Sequence, residues 1–343
     1  MKIAVLGWYG HDNAGDERIK FCLTHFLMSL GGITNVDFFD LHDHAIKGKT
    51  NQFDHYDLVI IGGGGLILSH HNYHDFILGI KTKIITAGIS VETELRGNPK
   101  KFAIALLEKS NAVLVRDQGS YEKLNGIDIN GKVQLSSDLT FLSPYEVVNT
   151  NEESTIGVNL MAKTNHSRLM LKSLLFASRF INGFSPKTID FSPLIENIEK
   201  LGNIMPIPLY CVKQESGLPE HQMNDVHCLR KYFREVPSFF NHADIDKSQI
   251  LLSMRLHGLI FAVQKGIPIL TFSSYPKQIN FMKELGIENC LIHLNHLENT
   301  RNVMQYIVKN TSLIKEKIMI YRDKAVKNIR NDFVEAINKS LCK

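Results

Sequence analysis

Ile250-Leu-Leu-Ser-Met-Arg-Leu-His-Gly-Leu-Ile260, continuing as Phe261-Ala-Val-Gln-Lys-Gly-Ile-Pro-Ile-Leu-Thr271, decides how the chain is read. The apolar run Gln249–Met254 predicts a buried strand. An apolar helix follows, closed by Gly266, and Pro268–Phe272 predicts the next strand. A strand, a helix and a strand in this order predict one unit of a parallel sheet. In an extended segment, residues two apart share a face. Arg255 and His257 are therefore expected to point the same way, a fixed cation beside a titratable imidazole. That pairing suits protonation of an anionic substrate. Tyr275-Pro-Lys277 sets a second cation after the next strand. Ligands in open α/β sheets collect outside the carboxyl ends of strands. A purely structural Arg-x-His is the competing reading.

Working outward, the first half alternates in the same way. Lys2–Leu6, Asp57–Ile61, Lys83–Ala87 and Ala112–Val115 predict strands, and Asp16–Leu30 and Pro99–Ser110 predict helices. Continuous apolar strands separated by helices indicate parallel sheets covered on both faces. A second series opens at Thr155–Leu160 and includes helices over Leu169–Phe184, Leu194–Leu201 and Asn224–Phe233, with a strand at Asn203–Leu209. The polar stretch Asn149–Ser154 marks a boundary. The expected fold is α/β, two doubly wound Rossmann-like domains facing a cleft, over 1–150 and 151–310. Residues 311–343 then form a helix packing back across them. Ile314, Ile318, Tyr321, Ala325, Ile329, Phe333, Ile337 and Leu341 recur at helical spacing. Its Lys- and Arg-rich outer face is expected to be solvated, with peripheral contact to a membrane surface as the second reading.

Composition narrows the function classes. A net charge of +4 over 343 residues, with 39 basic and 35 acidic side chains, does not suggest a nucleic-acid binder. The five cysteines are scattered, without Cys-x-x-Cys, so neither a zinc site nor a disulfide framework is indicated. A cytoplasmic protein is expected, with the inner face of the membrane as an alternative place of work. His70, His71 and His74, and His42 with His44, invite a metal reading among the 15 histidines. Solvated loop histidines are the expectation there, and no metal is expected.

Three loops after strands could carry chemistry. Gly7-Trp-Tyr-Gly-His-Asp-Asn-Ala-Gly-Asp16 is neither Gly-x-Gly-x-x-Gly nor a P-loop, which disfavours a dinucleotide or ATP. It leads into a helix N-terminus, where free amides favour an anion. Asn13 and Asp16 are either turn and cap residues or site residues. Gly62-Gly-Gly-Gly65 permits close backbone approach of a ligand at Gly63 and Gly64, against the plainer reading of a tight turn. Val115-Arg116-Asp117 ends a strand with a cation, whose competing role is a salt bridge to Asp117 or Glu122.

Gly7…Asn13-Ala-Gly-Asp16, Gly62–Gly65, Val115-Arg-Asp117, Ser253-Met-Arg-Leu-His257 and Tyr275-Pro-Lys277 stand in an order that resembles the polysaccharide pyruvyl transferase family. The resemblance spans about residues 3–285. It implies a two-domain fold like that of GT-B glycosyltransferases, with acceptor on the first domain and donor on the second. It also implies transfer of the pyruvyl group of phosphoenolpyruvate, as a cyclic ketal, onto a sugar of a cell-surface polysaccharide precursor. Phosphoenolpyruvate is then a substrate, no cofactor is needed, and the partner is a glycan, free or lipid-linked. The motifs carry Ser253 into the substrate-binding set. Members often have an Arg shortly after the first strand of the second domain. Here Gly157-Val-Asn-Leu-Met-Ala-Lys163 puts Lys163 in that place, which bears on the acceptor.

The residue chemistry is compatible with this. A phosphate and a carboxylate need several cations, supplied by Arg116, Arg255 and Lys277. His257 is the expected general acid, with Arg255 beside it, and Asp16 the candidate base. A nucleotide-sugar glycosyltransferase of the same fold is the rival enzyme. A non-catalytic carbohydrate-binding protein is the third reading, and it leaves His257 and the cations unused.

Overall fold

The computed structural model describes residues 1–69, 73–128, 130–148, 155–161, 189–211, 224–273 and 275–341. Among these residues, eleven strands form two sheets. The first contains β1 (Lys2–Gly7), β2 (Asn35–Asp40), β3 (Leu58–Ile67), β4 (Ile84–Val91), β5 (Ser110–Val115) and β6 (Val133–Leu135), in the order β2-β1-β3-β4-β5-β6. The second contains β7 (Thr155–Asn159), β8 (Asn203–Pro206), β9 (Ile250–Ser253), β10 (Ile269–Phe272) and β11 (Leu291–Ile292), in the order β11-β10-β9-β7-β8. Every pairing is parallel. Both sheets thus start from a central strand, step once to one side, then run outward on the other. Each reverses direction between its first and third strands, β1/β3 and β7/β9, the crevice where doubly wound sheets bind ligands.

Alternation explains the two cores. Ile3, Val5 and Ile60 belong to a buried cluster that continues through Leu251 and Leu270 of the second sheet to Ile318, Ile329 and Phe333 of the C-terminal helix. Ala4, Leu6, Val59 and Ile61 point the other way and pack with Phe102, Ala105 and Leu106 of the helix Asn98–Lys109. All eight residues of β4 are buried, as a strand covered on both faces requires.

The last helix, Thr311–Leu341, buries Ile314, Ile318, Ala325, Ile329, Phe333 and Ile337. It reaches both sheets' surroundings. Arg322 Nε donates to the Gln264 carbonyl at 2.8 Å, Arg330 Nε to the Leu142 carbonyl at 3.1 Å, and Asp332 accepts from Ser136 Oγ at 2.6 Å. The loop after β1 is also stitched across the cleft. Ala14 N donates to the Leu209 carbonyl at 2.9 Å and Cys211 N to the Asp12 carbonyl at 3.2 Å.

Several element boundaries differ from the sequence expectation. The glycine run does not end a strand: β3 continues through Gly62–Gly65 to Ile67, with a register shift against β4 beyond Gly64. Gly63 and Gly64 have φ of 79° and 85°, so a strand can bend there without stopping. The helix placed at Asn224–Phe233 is one short turn, Asp225–Leu229. The helix expected over 169–184, the boundary 149–154, Lys163, His70 and His71 lie outside the described residues. His74 opens a short helix and pairs with Asp75. Among the described residues, no helix is long and apolar enough to cross a membrane, and no group of three His, Cys, Asp or Glu is placed to hold a metal ion.

Candidate active site

The sequence after β1 makes one wall. Asn13 caps the helix Ala14–Ser29, its Oδ1 accepting from Gly15 N at 3.0 Å. Asp16 follows in the first turn and is 6% exposed. Burial pushes its carboxyl up to about 6; the charges of His257 and Arg116 pull it down, and those of Asp138 and Glu17 add to the rise. Gly64 leaves room beside it, since a Cβ there would lie 3.2 Å from Asp16 Oδ1.

The corner after β9 makes the opposite wall, and here the structure corrects the same-face expectation. The strand stops at Ser253, Arg255 is the N-cap of the helix Leu256–Lys265, and His257 lies in its first turn. The alternation of an extended chain no longer applies, and the two side chains go to different partners. Arg255 closes its fork on the fully buried Asp225, with Nη2 2.7 Å and Nε 3.1 Å from Oδ1. Asp225 also accepts from Asn159 Nδ2 and from the amides of Leu209 and Tyr210. Ser253 is fully buried and turns the corner, donating to Asn159 Oδ1 and accepting from Arg255 N. It is not among the residues lining the cavity.

His257 crosses to the first domain instead. Its Nδ1 packs against Gly15 so closely that a Cβ there would lie 1.8 Å away. Its Nε2 lies 3.4 Å from Asp138 Oδ2, an ion-pair separation longer than a well-formed hydrogen bond. Asp138 follows β6 and accepts from Arg116 Nη1 at 2.9 Å and from Thr140 N at 3.0 Å. Burial disfavours its anion. The charges of His257 and Arg116 and the Thr140 amide outweigh that and hold its carboxyl well below the usual carboxylate range. Arg116, expected to pair with Asp117 or Glu122, is bound to Asp138 and to Ser90 Oγ at 2.9 Å. Asp117 caps the following helix. Lys277 stands in the first turn of the helix Pro276–Glu284 and meets Glu92, just beyond β4, at 3.0 Å. That ion pair bridges the two domains.

Asn13, Asp16, Gly63, Gly64, Arg116, Arg255, His257 and Lys277 all line one cavity of about 510 Å³, at the switch points of both sheets. This is the usual size of a small-molecule site. A more open depression of about 730 Å³ beside Met1, Asp57 and Lys83 sits at the amino ends of the strands, where sheets of this class do not gather ligands. Asp138, Glu92 and Asp225 are the carboxylates that the sequence reading missed. Asp138 and Glu92 follow strands, so the logic that selected Arg116 could have selected them. Asp225 gave no such signal.

Four buried side-chain polar atoms lack a hydrogen-bond partner among the described residues. Three of them, Arg116 Nε, His257 Nε2 and Gln278 Oε1, belong to residues lining this cavity. Orphaned polar groups are rare in folded proteins, and each calls for an explanation such as a catalytic role, a bound water or an ion.

Residues 13–274 match the family model described as polysaccharide pyruvyl transferase. No curated protein matches the chain. Among solved structures, it is similar to the UDP-GlcNAc 2-epimerase from Neisseria meningitidis bound to UDP-GlcNAc, with 14% identity, 99% of this chain and 100% of that chain covered, and a TM-score of 0.55. The S. aureus MnaA–UDP co-structure aligns at 10% identity over 99% of this chain and 97% of that one, with a TM-score of 0.54. At such identities the likeness shows the fold, which is of the GT-B type.

Proposed function

Because the chain belongs to the polysaccharide pyruvyl transferase family, we propose that it transfers the pyruvyl group of phosphoenolpyruvate to a sugar as a cyclic ketal, releasing phosphate. The observation that supports this reading is the convergence of Arg116, Lys277, His257 and Asp16 on one cavity, three of whose lining residues carry a buried polar atom without a partner. One of those atoms, Arg116 Nε, is an N–H donor suited to an anionic ligand, whereas His257 Nε2 faces Asp138.

In this proposal His257, as the imidazolium, gives its proton to the methylene carbon of the donor. The carbon bearing the phosphate becomes oxocarbenium-like. An acceptor hydroxyl attacks it and loses its proton to Asp16. A second hydroxyl then closes the ring as the carbon–oxygen bond to phosphate breaks, and its proton leaves with the phosphate. Asp138 orients the imidazole from the side facing Arg116, the part that a carboxylate plays beside a working histidine. The three cations hold the donor to different degrees. Arg255 is committed to a buried carboxylate, and removing it from Asp225 would strand that charge. Lys277 and Glu92 form a partly exposed pair that costs about 0–1 kcal/mol to part. Lys277 is therefore the cation most readily given to the donor, with Arg116 supplying its unpartnered Nε–H. The acceptor is a glycan precursor, free or lipid-linked. Lys163, which the motif order puts beside the acceptor, lies outside the described residues.

The test is incubation with phosphoenolpyruvate and a panel of glycosides, measuring phosphate release and the mass gain of a pyruvyl ketal. UDP- and CMP-sugars serve as the rival donors. His257→Ala should lower turnover by about two to four orders of magnitude in a protein that still folds. Turnover of a nucleotide sugar in place of phosphoenolpyruvate would overturn the proposal.

A further inference from the structure

One feature of the cavity has no use in handling an anion or a proton. Trp8, the chain's one tryptophan, leaves the end of β1, is partly exposed and lines the cavity. One face of its indole stacks on His11, with ring centroids 4.0 Å apart and planes 20° from parallel. His11 is anchored in turn, its Nε2 2.5 Å from Asp40 Oδ2 at the end of β2. Asp40 also caps the next helix by accepting from Asp43 N. The ring of His42 lies 6.4 Å from the indole, and its Nδ1 is 2.8 Å from the hydroxyl of the buried Tyr73. The indole is thus backed by a stack rooted in the first domain, and its orientation is set before any ligand arrives.

The cavity lining is also partly apolar: Leu66, Leu68, Met161 and Leu209 line it together with Trp8, beside the charged Arg116, Glu92 and Lys277. A three-carbon donor fills a small part of about 510 Å³ and has no apolar face to match an indole. A pyranose does. Its axial C–H bonds make one apolar face, and its hydroxyls make a polar rim.

We propose that Trp8, held by His11 and Asp40, is the platform on which the acceptor's pyranose ring lies, with its rim hydroxyls presented to Asp16 on the helix that follows the same loop. The ligand class is a hexopyranoside. The proposal deepens the pyruvyl-transfer reading by seating its acceptor, yet it is tested by binding as well as turnover.

Because the chain has a single tryptophan, its fluorescence reports this position alone. Methyl hexopyranosides of the gluco, galacto, manno and N-acetylated series are titrated into the full chain without phosphoenolpyruvate. At least one series should produce a saturable change in emission. Trp8→Ala should raise the acceptor KM roughly three- to tenfold, the range expected for one aromatic contact, and leave the phosphoenolpyruvate KM unchanged. Trp8→Phe should recover most of the loss, which a merely structural tryptophan would not predict. If Trp8→Ala does not fold, His11→Ala, which removes the support and keeps the indole, should produce the same selective rise. Unchanged emission with every glycoside, or an acceptor KM indifferent to these substitutions, overturns the platform. A response to UDP or CMP alone also overturns it, assigning the indole to a nucleobase. Glycoside binding that persists in a protein unable to use phosphoenolpyruvate keeps the platform and removes the donor reading.

Discussion

Gly15→Ala separates the seat of His257 from the stability of the helix that carries it. Gly15 is not in the left-handed region, so its backbone accepts any residue. In a helical turn, alanine is favoured over glycine by up to about 1 kcal/mol. The obstacle is the imidazole: the added Cβ would lie 1.8 Å from Nδ1, 2.2 Å from Cγ and 2.5 Å from Cε1 of His257. Restoring a contact of about 3.5 Å at Nδ1 requires the ring to retreat by roughly 1.7 Å. Three ring atoms are involved, not the far end of a flexible chain, so rotation about one bond does not relieve the clash. A displacement of that size near reacting atoms costs about two orders of magnitude in rate. That corresponds to about 2.7 kcal/mol of transition-state stabilisation. Overpacking costs about 1–3 kcal/mol, partly offset by the helical gain, so the variant should fold with a modestly lower melting temperature. The assay is phosphate release with donor and acceptor, beside thermal unfolding and the imidazole resonances of His257. The double variant with His257→Ala should be no slower than His257→Ala alone, because both changes remove one function. Wild-type turnover in folded Gly15→Ala would refute the reasoning, since His257 would then not need the position seen here.

Three other outcomes follow from the charges. Asp16→Asn should be more stable than the parent above pH 6. A carboxyl raised from 3.8 to about 6 favours the protonated fold, so its contribution to stability falls as pH rises through that window, by about 3 kcal/mol at most. Urea midpoints at pH 5 and 8 check this, and the same variant should lose turnover whose parent profile rises through pH about 6. Asp138 has the opposite sign. Its depressed carboxyl contributes stability above its ordinary value of 3.8 that is lost as pH falls below it, so Asp138→Asn should flatten the acid limb of the unfolding profile. Asp225→Ala should cost about 3–5 kcal/mol by leaving Arg255 and two amides without their acceptor, measured as a fall in the urea midpoint with unchanged slope.

Sequence by itself determined the layers. Apolar runs such as Leu58–Ile61 and Ile250–Leu252 can be satisfied only between two covering layers, and a 3.6-residue repeat such as Ile314 to Ile337 needs one long groove to lie in. It also singled out Asp16, Arg116, His257 and Lys277, which the structure brings to one cavity, because in doubly wound sheets ligands gather beyond the ends of strands wherever these fall along the chain. What it could not determine is which charge meets which. Arg255 and His257 are two residues apart yet belong to different networks, since the chain turns from strand to helix between Ser253 and Leu256. Arg116 passes over Asp117 for Asp138, and Lys277 finds Glu92 across 185 positions. The glycine at position 15 looks like an ordinary turn residue until an imidazole from the other domain is seen against it. Local order along a chain sets backbone conformation through neighbours a few residues away. Pairing of side chains depends on distances through space of a few ångströms, and those were decided only when the two sheets closed on each other.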